Sequence, residues 1–125
     1  VYEYGEQPDQ KGLVVMDSPG REPEILTGLA AAGCNLIAFT TGKGAPQGFP
    51  FVPVLKITAN ENTWNSLQDH MDLCLSGLLE QEKSLVDYSR QIVDDLLRTA
   101  SGKLTKAEIS GYTRSMDIYT VGPII

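Results

Sequence analysis

Residues 35–57 read NLIAFTTGKGAPQGFPFVPVLKI. Two apolar runs, Leu36–Phe39 and Val52–Thr58, enclose a loop rich in Thr, Gly, Lys and Pro. A short continuous apolar run bounded by turn residues marks a strand covered on both faces. Pro53 stands near the start of the second run, where a missing N–H is tolerated. Lys56 interrupts the same run, and lysine is seldom buried unpaired. It therefore lies either on an exposed sheet edge or in a polar site.

Upstream, Gly12–Ser18 contains a further apolar run, Leu13–Met16, between Gly12 and Asp17-Ser18-Pro19. It reads as another strand buried on both faces. Between these runs, Ile25, Leu26, Leu29 and Ala32 recur at helical spacing. Pro23 suits the first helical turn, Glu22 and Glu24 complement the N-terminal dipole, and Gly33 is a natural stop. Gly28, inside this helix, implies a close contact with the sheet. Strand, helix and strand over some 30 residues predict a βαβ unit with parallel strands and a right-handed crossover. Residues 1–11 form a polar leading segment.

Downstream, Asn60 or Asn62 caps a short helix carrying Trp64 and Leu67. Leu73–Leu75 reads as a fourth strand that turns at Ser76-Gly77. Ser84 and Asp87 form a capping box for a long helix, about Leu85–Ala100. Leu85, Tyr88, Ile92, Val93, Leu96, Leu97 and Ala100 make its apolar face, with Asp94 and Asp95 solvated opposite. Thr105 and Glu108 cap another short helix, and the tail DIYTVGPII suggests a last strand or a docked arm. The sum is a single small three-layer α/β domain over residues 1–125, with a mostly parallel, Rossmann-like sheet.

Composition excludes several function classes. The chain has 125 residues, enough for one core, and is 42% hydrophobic and 21% charged. Ten basic residues against sixteen acidic ones give a net charge of −6. Basic residues form no cluster, so nucleic acid is not an expected partner. No apolar run approaches the roughly 18 residues of a membrane-spanning helix. Cys34 and Cys74 lack metal-site spacing and read as buried reduced thiols of a cytoplasmic protein. His70, the one histidine, lies in QDHMD and reads as a solvated helix end. The N-terminus has no signal-peptide pattern and no initiator Met, so the chain is expected to be part of something longer.

In parallel sheets, ligands bind beyond the carboxyl ends of strands. Three ends can be named: Asp17-Ser18-Pro19, Thr40-Thr41-Gly42-Lys43-Gly44 and Thr58-Ala59-Asn60. The hydroxyls of Thr40 and Thr41 can bind hydroxyls or an anion, Gly42 and Gly44 allow close backbone approach, and Lys43 adds charge. Asp17 can accept hydrogen bonds, or Asp17-Ser18-Pro19 can simply be a turn. TTGKG lacks the spacing and following helix of a nucleotide phosphate loop.

Several stretches together resemble a known family. They are YGE at 4–6, KGLVVMDSPG at 11–20, EILTGLAAAGCNLIAFTTGKG at 24–44 and PVLKITAN at 53–60. DLCLSGLL at 72–79, ASGKLTKAE at 100–108 and VGPII at 121–125 complete the set. In order and spacing they look like the C-terminal region of the altronate/galactarate dehydratases, sugar-acid hydro-lyases. The family also includes sulfolactate sulfo-lyases. The resemblance implies removal of water from a hydroxy-acid to give a 2-keto-3-deoxy acid. It implies a divalent metal, Fe²⁺ or Mn²⁺, with ligands outside this chain. It also implies a small-molecule sugar acid and the N-terminal part of the same enzyme as partners, with homo-oligomer formation left open. Asp17, Ser18, Thr40, Thr41, Gly42, Lys43, Gly44 and Lys56 are the expected substrate-binding residues. The family's usual Thr-Thr-Gly-Arg-Gly appears with Lys43 in place of Arg, and its Asp-Thr-Pro appears as Asp17-Ser18-Pro19. Lysine cannot reproduce arginine's two parallel bonds to a carboxylate. The competing expectation from another class is a non-catalytic assembly or regulatory module.

Overall fold

Val54–Thr58 (β2) is buried at every position. Its alternation of Leu55 and Ile57 against Val54, Lys56 and Thr58 sends side chains to both faces of the sheet. The computed structural model describes residues 1–78, 84–113 and 116–120. β2 is the central strand of a three-stranded sheet, between Ile37–Thr40 (β1) and Leu73–Cys74 (β3). Both pairings are parallel, with Ile37 opposite Val54, Thr40 opposite Ile57, and Ile57 opposite Leu73.

Two apolar clusters cover the faces. On one, Leu26, Leu29 and Ala30 of helix α1 (Glu22–Ala31) pack with Ile37, Phe49, Val52 and Val54. On the other, Leu55, Ile57 and Leu73 meet Ile92 and Leu96 of a later helix, Leu85–Ala100. The predicted small three-layer α/β architecture follows from these two clusters. Helix α2 (Glu61–Ser66) joins β2 to β3, and its cap is Asn60, one of the two candidates, while Asn62 lies inside the helix. A 3₁₀ turn, Ser76–Leu78, follows β3. The Leu85–Ala100 helix (α3) carries the predicted Ser84–Asp87 capping box. Helix α4 (Lys106–Ser110) carries the Thr105–Glu108 box.

The first predicted strand is overturned. Leu13–Met16 joins no strand of the sheet, and Leu13 is 99% exposed. Its backbone pairs with the leading segment instead: Met16 bridges Tyr2, Tyr2 N–H donates to Val15 O, and Asp17 N–H donates to Tyr2 O. One bridging residue on one side cannot bury both faces of the run. The expected βαβ unit around α1 is therefore absent, and β1 pairs with β2 alone among the described residues. The parallel unit with a helical connection is β2–α2–β3.

Gly28 does mark a close approach, but to the leading segment rather than to the sheet. A Cβ there would lie 2.4 Å from Tyr4 Cε2 and 3.0 Å from Met16 Cε. Tyr4 also donates its hydroxyl to Glu24 O at 2.6 Å.

The apolar face of α3 is only partly covered: Tyr88 is buried and Ile92 and Leu96 pack on the sheet, while Leu85, Val93 and Leu97 are exposed. Asp95 is not simply solvated, because it pairs with Lys103 at 2.8 Å. In the tail, residues 116–120 form no strand, and Tyr119 packs edge-on against Tyr4 with ring centroids 5.5 Å apart. Residues 121–125 lie outside the described residues.

Candidate functional site

The carboxyl ends of all three strands open onto one cleft of about 370 Å³. Thr40, Thr41 and Gly42 line it from β1, Ile57, Ala59 and Asn60 from β2, and Leu75 from just beyond β3. Parallel strands bring this about because their carboxyl ends lie on one side, and the β1–β2 register keeps Thr40 level with Ile57.

The wall formed by the β1 loop is held from beneath. Thr41 N–H extends the ladder to Ile57 O at 2.9 Å. Gly42 O accepts from Asn60 Nδ2 at 3.0 Å and from Thr63 Oγ1 at 2.7 Å. Asn60 Oδ1 also accepts from the N–H groups of Asn62 and Thr63, capping α2. One asparagine thus starts a helix and fixes the neighbouring loop. Thr41 Oγ1 accepts from Gly44 N–H at 3.1 Å. Gly44 has φ +91°, and a Cβ there would fall 2.2 Å from Leu67 Cδ1. Its role is a left-handed turn pressed against the residue that ends α2.

Of the predicted site residues, Thr40, Thr41 and Gly42 line the cleft. Lys43 is exposed beside it and makes no ion pair among the described residues. Gly44 supports the wall from behind. Asp17 and Ser18 stand on the segment paired with Tyr2 and do not line the cleft.

Lys56 lies on the central strand rather than an edge and is fully buried. Its ammonium donates to Glu22 Oε1 and sits 4.3 Å from the centre of the Phe39 ring. Burial pushes this ammonium below the usual lysine range, opposed by the hydrogen bond and charge of Glu22 and the charge of Asp72. The resulting tie joins the first turn of α1 to β1 and β2.

Asp72 makes a second tie that sequence reasoning missed. Its carboxylate accepts from Lys56 N–H at 2.7 Å and from Lys106 N–H at 2.8 Å, linking β2 to the first turn of α4. Burial raises its carboxyl above the usual range, and those two N–H bonds oppose the rise. Asn60 was legible as a cap but not as a loop anchor. Ile57 and Leu75 became cleft residues only through the strand order. His70 is half-buried rather than solvated, and its Nδ1 is buried with no hydrogen-bond partner among the described residues.

The cleft offers hydroxyls, an amide and an apolar floor. Thr40 Oγ1 has no hydrogen-bond partner among the described residues, and the hydroxyl of Thr41, which accepts from Gly44, can still donate. Gly42 N–H likewise has no acceptor among the described residues. Such groups suit a polyhydroxylated ligand. They do not suit Fe²⁺ or Mn²⁺, which call for carboxylate or imidazole ligands. Among the described residues no group of three His, Cys, Asp or Glu side chains could hold a metal ion. No described helix is long and apolar enough to cross a membrane.

Residues 1–123 match the sequence model of the family described as D-galactarate/altronate dehydratase, C-terminal. The chain is 38% identical over 112 residues to the (2R)-sulfolactate sulfo-lyase subunit beta of Chromohalobacter salexigens, covering 90% of this chain and 29% of that protein. It is 35% identical over 109 residues to the altronate dehydratase of Bacillus subtilis, covering 86% of this chain and 22% of that protein. It is 31% identical over 122 residues to the altronate dehydratase of Escherichia coli, covering 98% of this chain and 24% of that protein. The chain thus spans between 22% and 29% of the length of these relatives. Matched over nearly its whole length, the chain belongs to the D-galactarate/altronate dehydratase C-terminal family.

Proposed function

We propose that this chain is the C-terminal domain of a cytoplasmic sugar-acid dehydratase, and that its strand-end cleft holds the hydroxylated part of the substrate. The observation that carries the reading is that Thr40, Thr41 and Gly42 after β1 meet Ala59 and Asn60 after β2 in one cleft, in a chain of this family. The reaction is elimination beside a carboxylate. A base removes the proton on the carbon next to the carboxylate, hydroxide leaves the following carbon, and the enol rearranges to the 2-keto-3-deoxy acid.

Among the described residues the cleft lining has no acid or base side chain, and in this reading proton transfer and the ligands of the divalent metal are supplied by other parts of the full-length protein. Within this chain, the hydroxyls of Thr40 and Thr41 bind substrate hydroxyls, and exposed Lys43 offers charge to the carboxylate. Lys56 and Glu22 brace the strand ends, and Asp17 and Ser18, which do not line the cleft, have no part in this reading.

The 38% identity to a sulfolactate sulfo-lyase subunit supports a second reading, in which sulfite is the leaving group. Both are tested by supplying the full-length protein with Fe²⁺ or Mn²⁺ anaerobically, offering altronate, galactarate and sulfolactate, and detecting 2-keto acid or sulfite. Water loss from a sugar acid is the expected result. Sulfite release alone selects the second reading, and no turnover by folded, metal-loaded protein contradicts both.

A further inference from the structure

Helix α3 is apolar over a wider arc than its contacts use. Tyr88, Ile92, Leu96 and Thr99 face the body of the domain. Beside that face, Leu85, Val86, Val93 and Leu97 are 67%, 56%, 52% and 62% exposed. Val86, Val93 and Leu97 follow at i, i+7 and i+11, so they form one stripe along the helix. A helix with a single covered face needs an apolar stripe of roughly 100°, and α3 exceeds that. A shallow groove of about 470 Å³ runs over Leu85, Val86, Ser89, Arg90, Val93 and Asp94. Arg90 and Asp94 edge it and make no ion pair among the described residues. A contiguous apolar stripe with charges at its rim has the anatomy of a protein interface.

We propose that this stripe of α3 is the docking face for the region that precedes this domain in the full-length protein. The occupant follows from chain length. Relatives are matched over only 22% to 29% of their length, by a domain described as C-terminal, so most of each relative precedes it. A covalently joined region is present at an effective concentration on the order of millimolar, which a second copy of the chain does not reach by itself. The docking segment presents apolar side chains to Val86, Val93 and Leu97 and opposite charges to Arg90 and Asp94. The inference rests on family membership and needs no turnover, so it can stand or fall independently of the proposed reaction.

The test places a photoreactive benzophenone side chain at position 93 of the purified full-length protein, with the same group at Arg98 as control. Arg98 is on the exposed polar side of the helix. After irradiation and proteolysis, mass spectrometry identifies the joined peptides. Cross-links from position 93 to peptides of the preceding region, at least about fivefold above the Arg98 control, are expected if the interface is close-packed. Cross-links to this same domain in a second copy would overturn the proposal. So would a yield at position 93 no greater than at position 98.

Discussion

A lysine ammonium with no solvent exposure persists only where a carboxylate compensates its desolvation, and for Lys56 that carboxylate is Glu22. Lys56→Met leaves Glu22 facing the core without its cation, so urea unfolding should show a loss of about 3 kcal/mol. Replacing both partners, Glu22→Gln with Lys56→Met, should recover most of that loss. Equal losses in the single and double variants would contradict the pairing. The pH dependence follows from the direction of the shift. Burial holds the folded ammonium below its ordinary value of 10.5. Between the lowered value and 10.5, the unfolded chain keeps a proton that the folded chain has released, so stability rises with pH across that window and is lost as pH falls through it. Lys56→Met should flatten this alkaline rise in a series of urea midpoints. The oddity of Lys56 was legible from its apolar neighbours. Its partner was not, because Glu22 lies 34 residues away and carried a sufficient local explanation as a helix-dipole residue.

At the scale of elements, the β1 loop and α2 act as one piece. Asn60→Ser keeps a capping side chain but is too short to reach Gly42 O, so the chain should lose less than about 1 kcal/mol by urea unfolding. The full-length enzyme should then show a raised KM with kcat little changed, because the cleft wall loses an anchor and the reacting groups keep theirs. An unchanged KM would sink the anchoring role. Gly44→Ala should cost more than about 1 kcal/mol in the same unfolding assay, since it combines a left-handed φ with a clash on Leu67. Gly42→Ala, with nothing within 4 Å of the added carbon, should cost clearly less. Equal costs would contradict the packing role of Gly44. Local chemistry made the elements themselves readable: both capping boxes, the helix cap at Asn60 and the fully buried run of β2 formed as their sequences dictate, while β1 formed as an edge strand with only Ile37 buried rather than covered on both faces. Leu13–Met16 shows the limit. An apolar run reports that a surface is to be covered, and pairing geometry decides by what.

Over the whole molecule, the sheet order is what turns scattered strand ends into a site. Thr40-Thr41-Gly42 and Ala59-Asn60 meet because β1 and β2 are parallel neighbours; the strand-end rule named both groups from the sequence, but which strands are neighbours was fixed only by the fold. The place of Asp17 and Ser18 was not readable, because it depended on a strand that does not form. The stripe of α3 and the Leu13–Val15 run are both apolar and exposed. Both lie on a chain that spans roughly a quarter of the length of its relatives. The proposed function places substrate in the strand-end cleft. Ala59 is exposed on its lining, so Ala59→Trp places an indole in the cleft with little to disturb in the core. The most direct measurement is kcat/KM of the full-length enzyme carrying Ala59→Trp, on the acid it turns over, beside its urea midpoint. An unchanged midpoint and a fall of about a hundredfold are expected, as displaced substrate misses its reacting groups. An unchanged midpoint with kcat/KM within about twofold of the parent, too little for a displaced substrate, would contradict that placement.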